Sequence, residues 1–419
     1  MPGSSRPDER STTNGTLQVA LGSVGPMKGL AVPEATEDFT ADPVELFFDL
    51  AFVFAFSQLV HLLIVHPDWE HVGEAALLFV LLWLPWTQFA WSANAVPGNQ
   101  RSVRLAFLIG TAASVPMAAA VETAFDGSGL LFAVPLAVIH LMALSLMLVG
   151  VDTGSSEFRS AVKYGIPNFV AMIVLVVGGF LDDGARVAMW ILSVLIVLWS
   201  TIHAGRGDWV MRPGHFAERH GLIIIVALGE VIVALGNAVV EPLNDGGGFS
   251  ASAVIALAAT GVAAGILWWS YFDRVQPALE HRAEETEARD RGRFARDAYT
   301  YAHAPIVAGV ILIAVGLEEA ALHPDEALPY PYRMMLLGGV GLFIGGIAIA
   351  VYRAFGIIAK ERLVAFVVLA AILFAADDLD GVWLIVIIDV LAIAGLAVEH
   401  VRIEVRPNLD RPTVHHSHE

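Results

Sequence analysis

The sequence predicts an all-α membrane protein of about twelve transmembrane helices, and three observations carry that prediction. Of the 419 residues, 56% are hydrophobic and 16% charged, with a mean hydropathy of +0.66. Soluble domains carry nearer a quarter charged residues, so the apolar excess calls for the bilayer as solvent. Apolar stretches long enough to cross ~30 Å of hydrocarbon recur along the chain. The basic residues fall in alternate gaps between those stretches, as the positive-inside rule requires.

Residues 1–40 are polar and rich in Gly, Ser and Thr, without an apolar core, so a disordered cytoplasmic tail is expected there and not a signal peptide. A first half, 41–204, holds spans near 44–65, 72–93, 104–124, 130–150, 162–181 and 186–203. A second half, 205–404, holds spans near 219–240, 251–272, 299–320, 333–353, 361–376 and 381–401. Its one long loop, 273–298, alternates acidic and basic residues at helical spacing. That pattern predicts a solvated helical extension, which is also the place where a cytoplasmic partner would dock. Residues 405–419 form a second polar tail, whose His415, His416 and His418 read as solvated.

With both termini inside, 22 of the 24 Lys and Arg face the cytoplasm, and only Arg186 and Arg333 lie outside. A wrong span count would scramble that parity. The external loops are acidic instead, and the run Asp377-Asp378-Leu379-Asp380 reads either as a cation-binding turn or, more simply, as a solvated one. The bacterial inner membrane is the expected location.

Composition also excludes functions. The absence of cysteine removes disulfides, thiolate metal sites and thiolate catalysis. No GxxxxGK[ST] loop is present to power an ATP-driven pump. The net charge of −18 argues against nucleic acid as a partner. No cofactor and no metal is expected; the expected partners are the lipid bilayer and a small solute or ion.

The halves echo one another. Glu45 opens the first span and Glu218 the seventh; Trp91-Ser92 and Trp269-Ser270 recur in the second and eighth; Glu122 and Glu318 close the third and ninth. The offsets of 173, 178 and 196 residues suggest a 6+6 duplication. Halves with an even number of spans keep one orientation, so a pseudo-axis would run along the membrane normal.

Ionisable groups at membrane depth cost about 2.5–3.5 kcal/mol each, so each invites an explanation. Glu230 lies eleven residues into the predicted seventh span, about 16 Å deep. Arg219 and Asn237 fall within about 20° of its helix face. Gly229 and Gly236 beside that stripe predict a close helix neighbour. Glu45 and Asp49 stand at i and i+4 near the cytoplasmic end of the first span, followed by Ser57 and Gln58. Two carboxylates so close call for a cation between them, and Arg219 is the expected one. His303 and Pro305 open the ninth span, Gly309 and Gly316 repeat the seven-residue spacing, and Glu318 and Glu319 close it. His140 and Asp389 are further membrane-depth groups, His140 expected to hydrogen-bond across helices. Glu45, Asp49, Arg219, Glu230, Asn237, His303 and Glu318 are the candidate solute- or ion-binding residues. None is assigned a catalytic role.

The stretches VELFFDLAFVFAFSQLVHLL, ERHGLIIIVALGEVIVALG and YTYAHAPIVAGVILIAVGLE together resemble the bacterial low-temperature-requirement A family. Glu45, Phe47, Phe48, Asp49 and Gln58 carry the first motif. Glu218, Arg219, Gly229 and Glu230 carry the second, and His303, Pro305, Gly309 and Glu318 the third. The resemblance implies a multi-pass membrane protein and brings no substrate or catalytic residue with it. The functional expectation is a secondary transporter for a small solute or ion, proton- or cation-coupled. A membrane-embedded enzyme acting on lipid and a membrane sensor or assembly factor are the alternatives.

Overall fold

The computed structural model describes residues 41–204, 207–244 and 250–405, apart from the side chains at 234–235, 237–244 and 402–405. Its α-helices follow in the order α1 (Pro43–Val65), α2 (Trp69–Ala93), α3 (Arg101–Ala119), α4 (Gly129–Val149), α5 (Ser156–Gly179), α6 (Asp183–Ala204) and α7 (Pro213–Asn244). Then come α8 (Ala251–Phe272), α9 (Val275–Glu285), α10 (Ala288–Phe294), α11 (Ala302–Leu322), α12 (Tyr330–Phe355), α13 (Lys360–Ala375) and α14 (Gly381–Val405). A π-helical turn, Ala295–Tyr301, joins α10 to α11. A helix lies over each of the twelve predicted spans, with α9 and α10 in the long loop. Among the described residues, ten helical runs are long and apolar enough to cross a membrane. The other two helices over predicted spans are α7, at 32 residues, and α13, at 16.

Local chemistry sets the helix starts. α1 begins at Pro43, because Asp42 caps Val44 N at 3.0 Å while Glu45 Oε1 accepts Asp42 N at 3.1 Å. The run Asp42-Pro43-Val44-Glu45 is thus a capping box with proline at its first helical position. Asp68 caps α2 by accepting Glu70 N and His71 N, each at 3.0 Å. The His71 backbone bond leads the effects that hold its carboxyl below the usual carboxylate range. Gly356 ends α12 in the left-handed conformation at φ 68°, where a Cβ would be strained.

α11 is the axle of the bundle, packed on α1, α7, α8, α12 and α14. Its contact with α12 is backbone-close: a Cβ at Gly309 would lie 2.6 Å from Gly339 O, and one at Gly316 would lie 2.8 Å from Leu336 Cβ. The expected role of Gly229 and Gly236 is different. A Cβ at either meets nothing within 4 Å among the described residues, so neither glycine serves a close helix approach. At the periphery, α5 and α6 present Ile166, Phe169, Ile173, Leu195 and Trp199 to the lipid side.

The segment 273–298 is helical as predicted, but it is not a wholly solvated extension. α9 lies on α7, α8 and α12 and buries Leu279 and Ala283; beyond it Phe294 and Ala295 are buried too. These few apolar residues suffice to tie the segment down, although its mean composition is polar. The two basic residues at the acidic end are both buried and hydrogen-bonded within the chain. Arg186 donates to the carbonyls of Ala124 (2.7 Å), Phe125 (2.6 Å) and Leu181 (2.9 Å). Arg333 pairs with Asp377 at 2.5 Å, and that aspartate is itself mostly exposed, in keeping with a solvated turn.

Candidate functional site

The charged groups of α1 and α7 form two tiers. The first lies toward the basic-loop end of the bundle, where Arg219 makes a two-pronged pair with Asp49: Nη1 to Oδ2 at 2.8 Å and Nη2 to Oδ1 at 2.9 Å. Trp86 Nε1 of α2 donates to the same Oδ1 at 2.9 Å, and its indole lies 5.9 Å from the guanidinium carbon. Glu45 Oε2 stands 3.5 Å from Arg219 Nε and 3.2 Å from His215 Nε2. Every member is buried, Glu45 and Arg219 at 0% exposure, so Glu45 is shielded from water by its neighbours. One guanidinium thus bridges the two carboxylates, as their spacing predicts.

A histidine and aromatic layer backs this tier. His303 Nδ1 lies 3.1 Å from Ala298 O, which can only accept, so Nδ1 carries the proton. Nε2 is then the acceptor for the Tyr271 hydroxyl at 2.7 Å. His220 donates from Nδ1 to Phe216 O at 2.9 Å and packs its ring 5.1 Å from that of His303. Trp83 and Trp91 fix the last turn before His303 through Thr300, Nε1 to O and Nε1 to Oγ1, each at 3.0 Å. That turn is π-helical, and such insertions cluster at working sites.

The second tier is Glu230. It is the eighteenth residue of the 32 in α7, about 16 Å along the helix from Arg219. Its carboxylate shares the Ser57 hydroxyl of α1, at 2.8 and 2.7 Å. The residue is 2% exposed and has no basic partner among the described residues. The structure therefore separates Glu230 from Arg219, which is committed to Asp49. Glu318 of α11 is buried and is an electrostatic neighbour of Glu230. The side chain of Asn237 lies outside the described residues. His140 bonds Asn168 Oδ1 of α5 through Nε2 at 2.9 Å, across helices as expected. Asp389 is buried on α14, with no bond to either tier among the described residues.

Of the seven candidates, the fold brings Glu45, Asp49 and Arg219 into one cluster, sets His303 behind it, and places Glu230 near Glu318 in another tier. Sequence reasoning missed Trp86, His215, His220 and Tyr271. For His215 the signal was available: Arg212-Pro213 marks a helix start that puts His215 and Arg219 at i and i+4 on one face. Tyr271 and Trp86 gave no comparable signal, because each arrives from a different helix.

A bundle of membrane-length helices around buried ion pairs and further buried carboxylates defines a multi-pass helical membrane protein with a charged interior. The sequence profile of the bacterial low temperature requirement A proteins matches residues 40–398, and the chain belongs to that family. An uncharacterized protein of Rhizobium meliloti strain 1021 is 29% identical over 323 residues, covering 75% of this chain and 77% of that protein. No solved structure matches the chain.

Proposed function

We propose that this protein is a secondary transporter-like protein of the inner membrane, in which Glu230 takes up and releases a proton or small cation as a small solute crosses. The observation that carries the reading is that Glu230 is buried with no basic partner among the described residues. A buried carboxylate that has, among the described residues, only the Ser57 hydroxyl to satisfy it is poorly placed as a structural ion pair, since Arg219 is held by Asp49 and Glu45. Carboxylates kept at membrane depth without a fixed cation suit groups that exchange protons or ions.

The proposed internal duplication fits the same reading. Ser57 and Glu230 are 173 residues apart, the offset that relates Glu45 to Glu218. Equivalent positions of two-fold related halves touch each other only at the axis, and parallel-repeat transporters place their sites at the repeat interface near the midplane. The proposed orientation puts the basic-loop end and both termini in the cytoplasm. Since the chain has no native cysteine, single cysteines placed in successive loops and probed with an impermeant maleimide test this directly.

Dicyclohexylcarbodiimide, an apolar reagent for protonated carboxyl groups, tests the central claim. In membranes it is expected to modify Glu230, with labelling lost at high pH and in Glu230→Gln. Protection by Na⁺ would name the coupling ion. In proteoliposomes holding a pH-sensitive dye, Glu230→Gln is expected to abolish proton movement under an imposed potential. Absence of Glu230 labelling at every pH, with the protein folded, counts against the proposal.

A further inference from the structure

A walled cavity toward the basic-loop end lies away from Glu230. Its space is about 520 Å³ when the part open to solvent is counted. It opens between α2, α4, α5, the α6–α7 connection and the π-turn, and its walls are mainly apolar. Leu84 and Met147 line it together with the rings of Trp91, Trp209, Tyr164 and Tyr301. Trp209 is the keystone: its ring stands edge-on to Trp91 at 5.8 Å and to Tyr164 at 5.9 Å. Such a box of flat faces and edges suits a flat, apolar ligand body.

Polar groups are few and specific. Gln88 is 2% exposed, and its only hydrogen bond is Nε2 to the thioether of Met147 at 3.6 Å, so one amide atom has no partner among the described residues. Thr201 is the hydroxyl neighbour of both Tyr164 and Tyr301. Arg296 is the charged group of the lining, 5.9 Å from the Tyr301 ring centre. It pairs with Asp297 at 2.6 Å, and Arg353 takes the other oxygen of that carboxylate at 2.9 Å. Two guanidiniums on one carboxylate leave a net positive charge at this edge, and no acidic side chain lines the cavity.

We infer that this cavity is a binding site for a small organic anion with a flat apolar body, of the aromatic carboxylate class. The ring system sits among Trp91, Trp209 and Tyr164, a polar atom meets Gln88, and the carboxylate faces Arg296. Thr300 and Tyr301, also in the lining, are the residues through which such a ligand bears on the π-turn next to His303. This inference stands on the cavity alone and does not need the proposed role of Glu230.

The test is isothermal titration calorimetry of the full chain in nanodiscs, with empty nanodiscs subtracted and 2-naphthoate and its uncharged analogue 2-naphthamide as probes. Saturable one-to-one binding of 2-naphthoate is expected, with the amide about tenfold weaker, the scale of one charge-assisted hydrogen bond. Arg296→Gln should weaken the carboxylate about tenfold and leave the amide alone. Gly292→Leu should abolish both, because a Cβ there already lies 3.1 Å from Trp209 Cδ1 and a larger side chain fills the box. Arg353→Gln, which disturbs the same Asp297 pair from outside the lining, controls for loss of fold, and it should keep the carboxylate preference. No saturable heat, equal affinity for carboxylate and amide, or unchanged binding in Gly292→Leu would overturn the assignment. Carbodiimide labelling reports Glu230 and calorimetry reports the cavity, so either proposal can fail without the other.

Discussion

The Arg219–Asp49 pair offers a quantitative test of how the bundle interior is held together. Asp49→Asn removes the partner of two guanidinium bonds of 2.8 and 2.9 Å while keeping an oxygen for Trp86. Breaking a buried ion pair from one side costs about 3–5 kcal/mol, because a charge is left stranded. Glu45 remains 3.5 Å from Arg219, so the loss should fall near the lower limit, about 3 kcal/mol. Arg219→Gln leaves Glu45 with His215 and Asp49 with only the Trp86 N–H among the contacts described, and about 4 kcal/mol is expected. The double variant removes both charges and keeps the Glu45–His215 contact. It should lose well under the sum of the two, a coupling of about 3 kcal/mol. Equilibrium unfolding in mixed micelles, followed by helical circular dichroism, measures all four corners of the cycle. Additive losses, or an Asp49→Asn protein as stable as the wild type, would refute the idea that the pair acts as a unit.

Other outcomes follow from the same geometry. Tyr271→Phe strips the acceptor nitrogen of His303 of its donor and should destabilise the protein by about 1–3 kcal/mol in the same unfolding assay; no change would mean that another donor reaches Nε2. Gly309→Ala drives a Cβ into the α12 backbone, 2.6 Å from Gly339 O, and should cost about 1–3 kcal/mol, whereas Gly229→Ala, with open space around it, should cost nothing measurable. The reverse order of those two melting points would contradict the packing described. Arg186→Gln orphans carbonyls at the turn between α3 and α4, and should cost about 2–3 kcal/mol although it removes a charge from the acidic end; a gain in stability would show that Arg186 is there for charge balance only.

The helices were legible because the bilayer is an unforgiving solvent. Every backbone group that crosses it must bond internally, so spans of apolar residues in alternation with basic loops leave few other folds open. Sequence reasoning was weaker at the helix starts, where it passed over the capping box before Glu45 and the proline that starts α7 at Pro213. It also read a polar average across 273–298, where a handful of apolar residues set the packing.

Pairing was the harder problem. Helical spacing put Glu45, Asp49 and Arg219 near one depth, and the fold joins them. The same spacing aligned Arg219 with Glu230 on one face of α7, but an alignment along one helix spans about 16 Å, too far for an ion pair. Likewise, seven-residue glycine spacing occurs in both α7 and α11, yet only α11 has a backbone pressed against it. What the sequence by itself determined was which residues are helical, which end of the bundle is basic, and which polar groups must be buried. Only the tertiary structure decided which neighbours each buried group has, because Ser57, Trp86 and Tyr271 reach their partners from other helices, and no period within one helix records who stands opposite.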